Sequence, residues 1–164
     1  MTVLRFLSLA ALAVWIGGLG VLGGVVAPAV FAVLQASDPV SGRETAGAVF
    51  GAVFTRFQPA AWVCGTALLL LLGARAALGP RPRHTGLRVW LVVAMLAVSI
   101  GTAVLIVPRI DRIRRETAGA ISNLPAEDGR RVSFNRLHGL TNGLMLLTFV
   151  GGLALFWFEA KDPA

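Results

Sequence analysis

The sequence predicts an all-α integral membrane protein, a four-helix bundle packed through Gly/Ala-rich faces. Three observations carry that prediction. The chain of 164 residues is 56% hydrophobic and only 14% charged, whereas soluble domains carry about 25% charged residues. Its mean hydropathy is +0.77. Four stretches, Phe6 to Ser37, Phe57 to Ala74, Val89 to Pro108 and Leu137 to Phe158, contain no Asp, Glu, Lys or Arg. About 20 apolar residues cross a bilayer core as a helix. In hydrocarbon each segment must satisfy its own backbone hydrogen bonds, which favours the helix. We therefore expect a single transmembrane domain over residues 1–164, with spans at about 3–34, 60–78, 87–107 and 134–157.

The first span contains WIGGLGVLGGVVAPAVF, in which five of the eight residues from Gly17 to Gly24 are glycine. In water each would cost a helix roughly 1 kcal/mol relative to alanine. A bilayer tolerates them, because unfolding would expose peptide groups to hydrocarbon. Ala10, Ala13, Gly17, Gly20, Gly24 and Ala27 recur at spacings of three and four. Such a seam of small residues lets a neighbouring helix approach closely. It is expected to pack inside this chain's own bundle, with a dimer interface as the alternative. Pro28 is expected to break or kink the helix, since proline removes a donor and clashes with the preceding turn. The first residues resemble a signal peptide, but the apolar run continues to Leu34, far beyond a signal's hydrophobic region. A retained helix is expected.

Ser37 to Gly42 (SDPVSG) reads as a turn. Arg43 to Arg56 (RETAGAVFGAVFTR) encloses an uncharged core too short to span. It reads as an interfacial helix or an extension of the next span, with Gly47 and Gly51 as a second small face. Arg56, Gln58 and Pro59 mark an expected break before the second span. GPRPRHTGLR, residues 79–88, is a loop. The third span can continue past Pro108 as RIDRIRRETAG, where Asp111/Arg115 and Arg112/Glu116 have the spacing of helical ion pairs. Asn123 to Val132 is a loop before the fourth span.

The net charge of +7 sits at helix ends and in loops. Four spans place both termini on one membrane side, here side A, together with the loop between spans two and three. Six of the 15 basic residues fall on side A and nine on side B, so both faces are basic. Anionic headgroups are the expected partners. Nucleic acid is not, because there is no basic domain or aromatic-interleaved basic patch. The lone Cys64 excludes an internal disulfide and is read as a small hydrophobe. Trp90, Trp157 and Trp62 lie near span ends, as aromatic belts require. Trp15 lies deeper and is expected to pack on the glycine seam.

The informative polar residues gather on side B. His138, Thr141, Asn142 and Met145 share one helical face. Arg56 and Gln58 lie at the matching end of span two, and Arg109, Asp111 and Arg112 at that of span three. Intramembrane polar groups are costly and point into the bundle. A polar ligand pocket at His138, Asn142, Thr141, Arg112, Asp111, Arg56 and Gln58 is therefore expected, against the plainer reading of an interhelical hydrogen-bonded clasp. No metal or cofactor is expected. His84 lies across the bilayer from His138, and Cys64, Met95 and Met145 show no ligand spacing.

The ordered set WIGGLGVLGGVVAPAVF, AGAVFGAVFTRFQ, VPRIDRIR and FNRLHGLTNGL resembles the transmembrane protein 205-like family, over nearly the whole chain. Its most specific pieces are Trp15, Gly17, Gly18, Ala27, Pro28 and Phe31, and Leu137 to Thr141. The resemblance implies a four-helix membrane domain without an established activity. It departs at Met145, where an asparagine is expected. A more distant similarity joins the first helix to haem-biosynthesis oxidases and copper-resistance D-type proteins, but their histidine position is Ser8 here. The expected function is that of a non-enzymatic accessory, scaffold or oligomeric component of the bacterial inner membrane. Its expected partners are the bilayer and a second copy or another membrane protein. The alternative is a binder or transporter of a small ligand (lipid headgroup, anion, metal or haem) around His138. An enzyme using His138 as acid–base group lacks a second placed catalytic residue.

Overall fold

The computed structural model describes residues 2–79, 82–117 and 121–161. Arg81, counted above on side A, and Ala118 and Gly119, in the extension of span three, lie outside the described residues. Four long apolar helices make up the fold: α1 (Thr2–Ser37), α2 (Gly42–Leu78), α3 (Thr85–Glu116) and α4 (Gly129–Lys161). A single 3-10 turn, Ile121–Asn123, lies between α3 and α4, and no strand occurs among the described residues. α1 packs on α2 and α4, and α3 packs on the same two helices. The result is an up-down-up-down bundle of an integral membrane protein. Large apolar side chains such as Phe6, Val25, Leu70, Leu105 and Leu147 point outward from all four spans, a surface suited to lipid.

Each helix is longer than its predicted span. Pro28 and Pro108 do not break their helices. Immediately before each, the turn widens to π geometry, at Leu22–Val26 and Thr102–Ile106. The residue preceding each proline donates five back instead of four, Ala27 to the Leu22 carbonyl and Val107 to the Thr102 carbonyl. The wider turn accommodates the proline ring and its missing donor. A third wide turn, Ala13–Gly17, has no proline beside it. The expected break at Arg56–Pro59 is also absent. Residues 43–56 extend the second span, and Pro59 lies inside a continuous α2. A transmembrane helix tolerates the lost donor where neighbouring groups satisfy the freed carbonyl.

The core is built from large side chains. Leu12, Trp15, Ile16 and Leu19 of α1 meet Ala61, Leu68 and Leu72 of α2, Val92 and Met95 of α3, and Leu155 of α4. Glycine matters where partners press close. A Cβ at Gly18 would strike the Phe57 ring, one at Gly152 the Ile16 side chain, and one at Gly65 would come within 2.8 Å of Trp15. Trp15 therefore packs against Gly65 of α2 and not against a seam on its own helix. Of the predicted seam's glycines only Gly20 meets a neighbour, since a Cβ there would lie 3.2 Å from the Phe149 ring; at Gly17 and Gly24 a Cβ would meet nothing within the chain. Their stripe lies one residue, about 100°, from the buried stripe of Leu12, Ile16 and Leu19.

Candidate functional site

Two polar layers and one cavity organise the bundle. At side A, the carboxylate of Glu159 on α4 accepts from Arg75 of α2 at 2.6 Å and from Arg88 of α3 at 2.9 Å. All three side chains are buried. Arg88 also donates to the Phe158 carbonyl at 3.0 Å and lies over the Phe158 ring. The reading of all side A cations as headgroup partners is therefore corrected for Arg75 and Arg88. Their apolar surroundings drive them onto a shared carboxylate, because a buried charge needs a partner. The missed signal is positional. Arg75, Arg88 and Glu159 each sit directly at the end of an uncharged run, on three helices at one depth.

Midway, Trp62 donates to the Ser99 hydroxyl at 3.0 Å, and Ser99 donates to the Gln58 side-chain carbonyl at 2.7 Å. Trp62 thus serves an α2–α3 clasp and not the aromatic belt, to which Trp90 and Trp157 remain exposed. Gln58 and Thr141 border a void of about 20 Å³, together with Thr102, Met145, Thr148 and Trp15. That is room for a single water.

The larger cavity, about 360 Å³, opens among the four helix ends on side B. Phe31 of α1, Arg43, Glu44, Gly47 and Ala48 of α2, and Arg114 of α3 line it. Ile121 and Ser122 of the 3-10 turn and Arg131, Phe134, Asn135 and His138 of α4 complete it. Local sequence explains the arrangement. Ile110 and Arg114 share a helical face, and buried Ile110 fixes which way that face points. The Arg114 guanidinium then lies over the Phe134 ring. Its nitrogens approach within 3.0 Å and 3.4 Å of where a Cβ would sit on Gly47 and Gly51. The second small face predicted for α2 is thus a groove for an arginine and not a helix contact. Glu44 receives the Ser122 amide at 3.3 Å and the Ser122 hydroxyl on one carboxylate oxygen. Its other oxygen is buried without a partner among the described residues. Arg131 donates to the Ser122 and Leu124 carbonyls and holds the turn in place. None of the three arginines forms an ion pair among the described residues.

The predicted pocket residues are divided by this geometry. His138 lines the larger cavity, its ring stacked on Phe134 at 5.8 Å, while Asn142 meets it at 3.3 Å from the outer side. Gln58 and Thr141 belong to the deeper void. Arg56 and Arg112 are exposed, and neither they nor Asp111 lines either cavity. The pairs Asp111/Arg115 and Arg112/Glu116 do not close to ion-pair distance. Arginines do surround His138, but they are Arg43, Arg114 and Arg131. Asp128 immediately precedes α4. Its carboxylate accepts the Arg130 amide at 2.8 Å and the Arg130 guanidinium at 2.8 Å. These bonds, led by the guanidinium, hold its pKa down to about 2.

A family described as a domain of unknown function (DUF4149) matches residues 10–118, and the chain belongs to that family. No curated protein and no solved structure matches.

Proposed function

We propose that this member of an uncharacterised membrane family is a non-enzymatic binder of a phospholipid headgroup, through its phosphate, at the side B cavity. One observation carries the reading. Three arginines and one glutamate line a cavity of about 360 Å³, and none of the arginines is ion-paired among the described residues. The volume falls in the range of small-ligand sites, roughly 300–1,000 Å³. Guanidinium groups are the usual choice for phosphate and carboxylate recognition. Phe31, Ile121 and Phe134 supply apolar wall beside them, which suits an amphiphile entering from the bilayer. The bilayer is the source of ligand, no cofactor is needed, and the bacterial inner membrane is the compartment we assign. The resemblance to transmembrane protein 205-like proteins is kept within this reading.

The test is native mass spectrometry of the detergent-purified protein with titrated phospholipid. Wild type should retain phospholipid, and Arg114→Gln should lose it while keeping its fold. Equal retention by the two proteins would overturn the reading. A second reading, a homo-oligomeric scaffold, draws on Gly17 and Gly24, where a Cβ would meet nothing in the chain. Leucine at either position should then dissociate an oligomer without unfolding the protomer. An unchanged assembly would remove that reading.

A further inference from the structure

We infer that the side B cavity takes a phosphate ester that also carries a protonated amine, the chemistry of an aminoethyl phosphate headgroup. This inference rests on the headgroup reading above and narrows it. Its ground is Glu44. A site made only for an anion has no use for a carboxylate in its wall, since like charge repels the ligand. Glu44 nevertheless lines the cavity beside Arg43 and Arg114. It is not paired with either arginine among the described residues.

The two carboxylate oxygens are in different states. One is engaged by the amide and hydroxyl of Ser122, which fixes the side chain. The other has almost no exposed surface and no partner among the described residues. Leaving a buried acceptor unmet is costly, more so for a charged one. A purely anionic ligand would cover the site and leave the Glu44 charge unbalanced. A ligand with an ammonium next to its phosphate satisfies both ends. The phosphate lies against Arg114, which is held by the Phe134 ring and the Gly47 groove. The ammonium lies against the Glu44 wall and balances its charge.

Two sources share this chemistry, a membrane aminophospholipid and its water-soluble headgroup. The protein, in detergent, is titrated with phosphatidylethanolamine, with phosphatidylglycerol, and with soluble glycerophosphoethanolamine, and bound ligand is counted by native mass spectrometry. Phosphatidylethanolamine is expected to be retained several-fold over phosphatidylglycerol. In Glu44→Gln, which preserves the oxygen facing Ser122, that preference should vanish: phosphatidylethanolamine retention falls, while phosphatidylglycerol retention holds or rises because the repelling carboxylate is gone. Arg114→Gln should lose both lipids. Binding of glycerophosphoethanolamine in place of lipid, again dependent on Glu44, would support the same chemistry from a soluble source. Equal retention of the two lipids by wild type, still dependent on Arg114, would overturn this inference and leave the headgroup reading standing. No Arg114-dependent binding of any probe would overturn both. A melting temperature for each variant separates lost binding from lost fold.

Discussion

Removing the carboxylate between Arg75 and Arg88 tests the packing logic of the bundle most directly. Glu159→Gln keeps the shape and one acceptor oxygen but removes the charge that two buried guanidiniums approach at 2.6 Å and 2.9 Å. Hydrogen bonds to charged groups contribute about 1.5–3 kcal/mol each, so losing both gives roughly 3–6 kcal/mol. Breaking a buried ion pair by removing one partner costs about 3–5 kcal/mol. Because glutamine still accepts one bond, the lower end of about 3 kcal/mol is expected. For a chain of this size 1 kcal/mol shifts the melting temperature by roughly 2–4 °C, so the variant should melt roughly 6–12 °C lower. The assay is thermal unfolding in nanodiscs followed by tryptophan fluorescence. Replacing all three residues by methionine or leucine should recover most of the loss, since no uncompensated buried charge remains. A Glu159→Gln melt within about 2 °C of wild type would refute the reasoning.

Two further predictions follow from the same structure. Gly18→Leu and Gly152→Leu should destabilise the protomer strongly, because even a Cβ there collides with Phe57 or Ile16, whereas Gly17→Leu and Gly24→Leu should leave its melting temperature near wild type. Melting curves of the four proteins side by side check this, and equal losses would count against the observed helix faces. Asp128 has a pKa depressed from 3.8 to about 2, so its stabilisation of the α4 start is present above its unfolded pKa and is lost as pH falls through that window. The protection factor of the Arg130 amide, its exchange rate relative to the intrinsic rate at the same pH, should fall in Asp128→Ala at neutral pH and in wild type near pH 2. A neutral-pH exchange rate unaffected by the alanine would show that the carboxylate does not cap the helix.

The architecture was legible because uncharged runs of spanning length leave the backbone few choices. The terminal extensions were not, because charged residues inside helices look like loops in a membrane sequence. Gly17 and Gly24 were misplaced for a specific reason. Two stripes of α1, one of glycine and one of Leu12, Ile16 and Leu19, are both apolar, and spacing alone does not say which faces inward. The site shows a similar phase error. The sequence pointed to arginines near His138, and the structure supplies Arg114 where Arg112 was expected. Those residues lie two positions apart, about 200° around the helix, and only the burial of Ile110 selects between them. Glu44 and Ser122 come together from segments 78 residues apart, a proximity that no local pattern encodes.

The wide turns at Ala13–Gly17, Leu22–Val26 and Thr102–Ile106 carry a consequence for kinship. Each accommodates one extra residue within a span, and the rotation that an insertion would impose on everything beyond it is absorbed on the spot. A relative lacking one residue at any of these places would run as regular α-helix there and still present the same side chains to the same neighbours. Length variation, normally confined to loops, has three permitted addresses inside the bilayer.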